Sequence, residues 1–151
     1  MITFHVESFT ERLEELKVLL PQHYEELALN KDKVPLSPQY EVYTERERQG
    51  MTFFVTARDS GRLVGYFIGF IAPGLHYSTC LTCIMDIFYI EPAHRGSNAG
   101  IQLFKFVEQE LRRRGVQRWF MGAKAHFDCS FLFEKLGAEL VEKTYSKWLG
   151  D

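Results

Sequence analysis

Residues 88–103, FYIEPAHRGSNAGIQL, decide how this chain reads. An apolar, strand-like start passes through Pro92 and Arg95 into small residues, and Leu103, Phe104, Val107 and Leu111 then recur at helical spacing. A strand that turns into a helix in this way leaves the first helical amides unpaired, directed outward and partially positive, and small side chains let an anion reach them. The pattern is that of a phosphate cradle. It is neither the P-loop, since no Gly-Lys-Ser/Thr follows, nor the dinucleotide fingerprint, since Gly-x-Gly-x-x-Gly is absent. From Pro92 to Arg118, Arg95, Lys105, Arg112, Arg113, Arg114 and Arg118 face only Glu108 and Glu110 as counter-charges, although the same arginines also read as a solvated helix face.

Outward from this segment the chain reads as one domain over residues 1–151, with 46% hydrophobic, 25% charged and 15% aromatic residues. The net charge of -2 gives no global argument for binding nucleic acid, so that partner is not expected. No apolar run reaches the roughly 20 residues that span a bilayer, and the start has no signal-peptide pattern, so a cytoplasmic protein without a membrane partner is expected. Three cysteines (Cys80, Cys83 and Cys129) fit a reducing compartment. The Cys-x-x-Cys at 80–83 falls in a strand-like segment, where residues three apart point to opposite faces, so no metal site is expected.

Before that segment, a short strand opens the chain at ITFHVE, and Ser8 with Glu11 forms a capping box at a helix start. Pro21 predicts a break, one helix ending near Leu20 and a second starting at the proline. Ser37-Pro38 predicts the cap of a third helix, running to Gly50. Period-two residues from Met51, with the turn Asp59-Ser60-Gly61, predict a hairpin, and a third long strand covers 79–90. After the helix that ends at Gly115 come a strand at 116–124, a short helix at 128–136 and a last strand in AELVEKTYSKWL, 138–149. The order implies an α+β domain, its mostly antiparallel sheet carrying one parallel crossover after the third long strand.

Strand, Pro-x-x-Arg-Gly-x-x-x-Gly and amphipathic helix together resemble the acyl-CoA motif of the GNAT superfamily of N-acyltransferases. In its Q/R-x-x-G-x-G/A pattern Arg95 matches the basic position, Asn98 stands where the first glycine is expected and Gly100 fills the last. Leu136-Gly137-Ala138 follows where that family commonly has Leu-Gly-Phe, and HYEELALNKDKVPLSPQYEVY resembles small GNAT-like proteins often encoded by tailed bacteriophages, which implies a host cytoplasm. The resemblance implies a GNAT-like mixed, mostly antiparallel central sheet flanked by helices, with strands splayed at the acyl-CoA site. It implies acetyl-CoA as co-substrate, an amine acceptor and a homodimer through sheet edges. The pantetheine arm would pair with Phe88, Tyr89 and Ile90, and the pyrophosphate would sit on Gly96, Ser97, Asn98, Ala99, Gly100 and Ile101 with Arg95 beside it. A backbone amide near Phe88–Ile90 would polarise the thioester carbonyl.

Transfer to an amine requires a base, because an ammonium of pKa about 10.4 has no lone pair at neutral pH. Asp86, in the otherwise apolar CIMDIFYI, is the catalytic candidate, against a structural aspartate that holds a helix end or an arginine. His76 and Tyr77, just upstream, are candidates for the pocket rim. His23, Tyr24, Glu25 and Glu26 lie on a helix expected to flank the acceptor groove, and the first 50 residues carry ten acidic and six basic side chains, a balance that favours a cationic acceptor. Phe133 occupies the position where relatives often carry a proton-donating tyrosine. His126 reads either as a contact to the pantetheine arm or proton donor, or as a cap at a strand end. The departures at Phe133 and Asn98 motivate an alternative, a non-catalytic acyl-CoA-binding or host-protein-binding module on the same scaffold.

Overall fold

The computed structural model describes residues 1–151. Five strands form one sheet in the order β1-β2-β3-β4-β5: β1 (Ile2–Val6), β2 (Thr52–Asp59), β3 (Arg62–Pro73), β4 (Leu81–Ile90) and β5 (Arg118–Phe120). Neighbours are antiparallel except β4 and β5, which run parallel through the crossover helix α3 (Ala99–Arg113). This is the expected sheet with its single parallel connection. Helices α1 (Phe9–Leu27) and α2 (Tyr40–Arg48) pack on one face; α3 and α4 (Ser130–Lys135) pack on the other.

The α3 face buries Phe53, Val55, Phe67, Cys83, Leu103, Phe104, Val107 and Phe133 in one apolar cluster. Phe104 stacks on Trp119 at 5.6 Å and meets Phe67, Phe88 and Phe133 edge-on or tilted. Burial pushes the Cys83 thiol up to about 12, so it acts as a small hydrophobe. The opposite face packs Phe9, Leu16, Leu19 and Leu20 against Phe54, Tyr66, Ile68 and Tyr89.

Four expectations are corrected. Pro21 does not divide the N-terminal helix: α1 continues through it, since burial of Leu16, Leu19, Leu20 and His23 on both sides outweighs one missing amide. The capping box is half formed. Ser8 Oγ accepts from Glu11 N at 3.2 Å, but the carboxylate at this helix start belongs to Glu47 of α2, which accepts from Ser8 Oγ and from the amides of Phe9 and Thr10. Ser37 caps nothing, because α2 begins at Tyr40 with Gln39 before it and no side-chain bond. Residues 138–149 form no strand, and β5 is only three residues long. Leu140, Val141, Tyr145 and Leu149 are exposed, so the last segment has strand composition without a partner ladder.

A β-bulge in β4 positions the site. Ile68 pairs with Ile87 and Gly69 with Met85, so Asp86 is an extra residue in the register. Cys83 and Met85 therefore pack on the α3 face with Phe88 and Ile90, whereas Ile87 and Tyr89 pack on the α1 face. Unbroken alternation would have kept 83, 85, 87 and 89 together.

Candidate active site

β4 carries two features that meet at the bulge. Its outer edge is open: β5 pairs with it only at Thr82, Cys83 and Ile84 and ends at Phe120, so Met85–Ile90 have no partner strand on that side. Beyond Ile90, a 3-10 turn (Pro92–Ser97) leads to Asn98 in the left-handed conformation (φ 61°), which makes no side-chain cap to α3. Gln102 N donates back to Asn98 O as the first helical bond, leaving the earlier amides of the turn of Ala99–Ile101 as helix-start donors. A Cβ on Gly96 would meet nothing within 4 Å, whereas one on Gly100 would touch Leu132 of α4 at 3.4 Å. Gly96 thus faces open space, and Gly100 lets α4 approach α3.

Arg95, just before the turn's amides, is engaged by protein partners. Its Nη2 donates to both Glu26 carboxylate oxygens at 2.7 Å, its Nε donates to Ile90 O at 2.9 Å, and its guanidinium lies over the rings of Tyr89 and Phe127. It ties the end of α1 to the end of β4.

The second feature is a cavity of about 380 Å³ on the α1 face, walled by α1, the 28–38 loop, α2 and β4. Asp86 lines it with Ile68 and Ile87 of the sheet and with Leu16, Leu20, Tyr40 and Tyr43 of the helices. Tyr43 Oη donates to Asp86 Oδ2 at 2.5 Å. The carboxylate is open to the cavity, yet the walls around it are largely hydrocarbon. Burial therefore raises its pKa, while the Tyr43 hydrogen bond and the Arg46 charge pull the other way. Tyr43 is pushed up in turn by burial and by the adjacent carboxylate. His23, also on the wall, is 6% exposed, sits 2.7 Å from Tyr66 Oη through Nδ1 and stacks on Tyr89. Burial, with the Arg95 and Lys124 charges, lowers it to about 4, so it stays neutral.

The remaining candidates lie apart. His76 and Tyr77 are exposed in the β3–β4 loop, where Tyr77 lies under Arg118, and neither lines the cavity. Phe133 is buried between Phe88 and Phe104 on the α3 face, and His126 is exposed in the turn between Lys124 and Phe127. Tyr43, Asp86's hydrogen-bond partner, escaped the sequence reading as a site residue: it lies 43 residues away on α2, and its inward face is set by a tertiary contact, the stacking of its ring on Phe9 of α1.

The open edge and the turn after it fit acetyl-CoA. Unpaired strand groups at Met85–Ile90 suit an amide-bearing arm, and helix-start amides suit a diphosphate. The wider comparisons agree. No curated protein matches the chain in sequence. Among solved structures, ribosomal-protein-alanine N-acetyltransferase from Brucella melitensis biovar Abortus 2308 is similar at 16% identity and TM-score 0.72, covering 99% of this chain and 100% of that one. Glucosamine-6-phosphate N-acetyltransferase from Arabidopsis thaliana is similar at 13% identity and TM-score 0.73, with 99% of each chain covered. A predicted acetyltransferase from Clostridium acetobutylicum, solved with acetyl-CoA, is similar at 12% identity and TM-score 0.71, covering 97% of this chain and 96% of that one. At such identities the likeness establishes the fold. The family model for the acetyltransferase (GNAT) family matches residues 17–138, most of the chain, and with it the protein belongs to the GNAT family of acetyl-CoA-dependent N-acetyltransferases.

Proposed function

We propose that this chain, as a single domain over residues 1–151 working in the cytoplasm, moves an acetyl group from acetyl-CoA to a primary amine by direct attack, both substrates being held together. One observation carries the reading. The bulge at Asp86 turns a carboxylate into the cavity while the same stretch of β4 keeps its edge open, so an acceptor site and a cofactor site share one strand. Bound along that edge, with its diphosphate at the Ser97–Ile101 amides, acetyl-CoA supplies an activated acyl group. Asp86 receives the proton that the acceptor ammonium must lose, Tyr43 holds the carboxylate in place, and as the amine nitrogen bonds to the thioester carbon the carbon–sulfur bond would break and CoA leave as a thiolate protonated from solvent. Most of the side chains that line the cavity are apolar, which lowers the polarity around the amine.

Asp86→Asn tests this assignment. Transfer to an amine at neutral pH should fall about 100-fold or more, with the unfolding midpoint and calorimetric affinity for acetyl-CoA retained. An unchanged rate would remove Asp86 as base. Since the ionised form accepts the proton, the wild-type rate climbs with pH through Asp86's raised pKa. Tyr43→Phe deletes a hydrogen bond that holds this pKa down, so the acid limb should move to higher pH. The second reading, binding without turnover, draws on Phe133, which leaves no tyrosine hydroxyl at its position. Tight binding of acetyl-CoA with no transfer to any amine would select it.

A further inference from the structure

We infer that the acceptor is a monoamine carried on an apolar alkyl or aryl body, and that polyamines and aminosugars are poor substrates. This deepens the proposed function and rests on the cavity being the acceptor site. The wall offers one anion: Asp86 is the only carboxylate among the lining residues, and Lys124 is their only permanent cation. His23 is neutral there. One ammonium can therefore be matched, while a second would lie among hydrocarbon with Lys124 opposing it.

The acidic excess of the first 50 residues, which favoured a cationic acceptor on sequence grounds, places no carboxylate on the cavity wall, and much of it is engaged elsewhere. Glu7 and Glu15 hold Arg58, Glu26 holds Arg95, Glu25 holds Lys31, and Glu47 caps α1. A sugar fares no better than a polyamine. The hydroxyls of Tyr43 and Tyr24 are committed, to Asp86 and to Val34 O at 2.6 Å, so only those of Ser37 and Tyr40 lack a protein partner on this wall, too few for the several hydroxyls of an aminosugar. The two buried side-chain polar atoms lacking partners, on His94 and Trp119, belong to residues off this wall. The rest is apolar surface from Leu16, Leu20, Leu27, Leu36, Ile87 and the ring of Tyr40, in a volume within the range of small-molecule sites.

The test uses the full chain with acetyl-CoA and a matched series from n-propylamine to n-hexylamine, with phenethylamine, spermidine and glucosamine alongside. Thiol release gives kcat/KM, and calorimetry gives the affinity of each amine for the protein alone. Buried methylenes should raise kcat/KM about fourfold each until the cavity fills. Phenethylamine should exceed spermidine and glucosamine by more than about tenfold in rate and affinity. Leu36→Glu changes a side chain that is 40% exposed on the loop wall, so the fold should tolerate it. It should weaken phenethylamine binding and strengthen spermidine binding. If no amine is acetylated, the transfer reading fails and the acceptor assignment falls with it; if amines are acetylated but in another order, the present inference alone fails. Spermidine or glucosamine binding better than phenethylamine, a flat alkyl series, or no amine binding at all would overturn it.

Discussion

The two faces of the sheet differ in kind. On the α3 side, aromatic rings from three strands and two helices close on Phe104, and the one side-chain nitrogen among them, the indole N–H of Trp119, is buried without a partner. The α1 side buries His23 and Tyr66 and leaves a cavity beside Asp86. Close packing of hydrocarbon rewards completeness, since any void forfeits contacts, whereas a site must keep room and tolerate partly desolvated polar groups. One face thus supplies stability, and the other, under the proposed function, uses some of it for chemistry.

Three measurements would break or sharpen this contrast. Phe104→Ala should cost about 3–5 kcal/mol in urea unfolding, the largest effect expected, because it empties the centre of the ring cluster. A cost near that of a surface substitution would mean that the α3 face is not the main source of stability. Next, acid should act through the other face. Folded His23 titrates at about 4, against 6.5 for its ordinary value, so its stabilising share is complete above about pH 6.5 and is lost progressively as pH falls toward 4, up to about 3 kcal/mol. His23→Phe should flatten the loss between pH 6.5 and 4.5; an unaltered slope would place the acid sensitivity elsewhere. Burial raises the Glu7 and Glu47 carboxyls, but hydrogen bonds from Arg58 and from the start of α1 lower them more, so their contribution falls away below that window. The smallest effect is expected at the turn between the faces. Asn98→Gly should change stability by less than about 1 kcal/mol, since asparagine already tolerates the left-handed backbone, while Asn98→Val should cost more. Equal stabilities for the two variants would contradict the φ of 61°.

Much of this arrangement was legible in order and period. The hairpin through Asp59-Ser60-Gly61, the β4-α3-β5 crossover and the stop at Gly115 all carry local signals, a turn with positive φ or a helical stripe, that tertiary packing did not override. Asp86 stood out as a carboxylate in an apolar run. The rest depended on contacts between distant segments. No local rule links Tyr43 to Asp86, Glu47 to the start of α1, or Arg95 to Glu26. Continuity of α1 through Pro21 rests on the buried residues flanking it, and the lost final strand shows that composition alone does not provide a pairing edge.

The bulge in β4 also has a bearing on inheritance. Asp86 is the residue that the register counts as extra, so loss of its codon would leave Ile68 opposite Ile87 and Gly69 opposite Met85, keep both helix layers facing the side chains they now see, and take away only the carboxylate. In descendants of this gene, a β4 shortened by that one residue should therefore mark a lost carboxylate on an otherwise intact sheet.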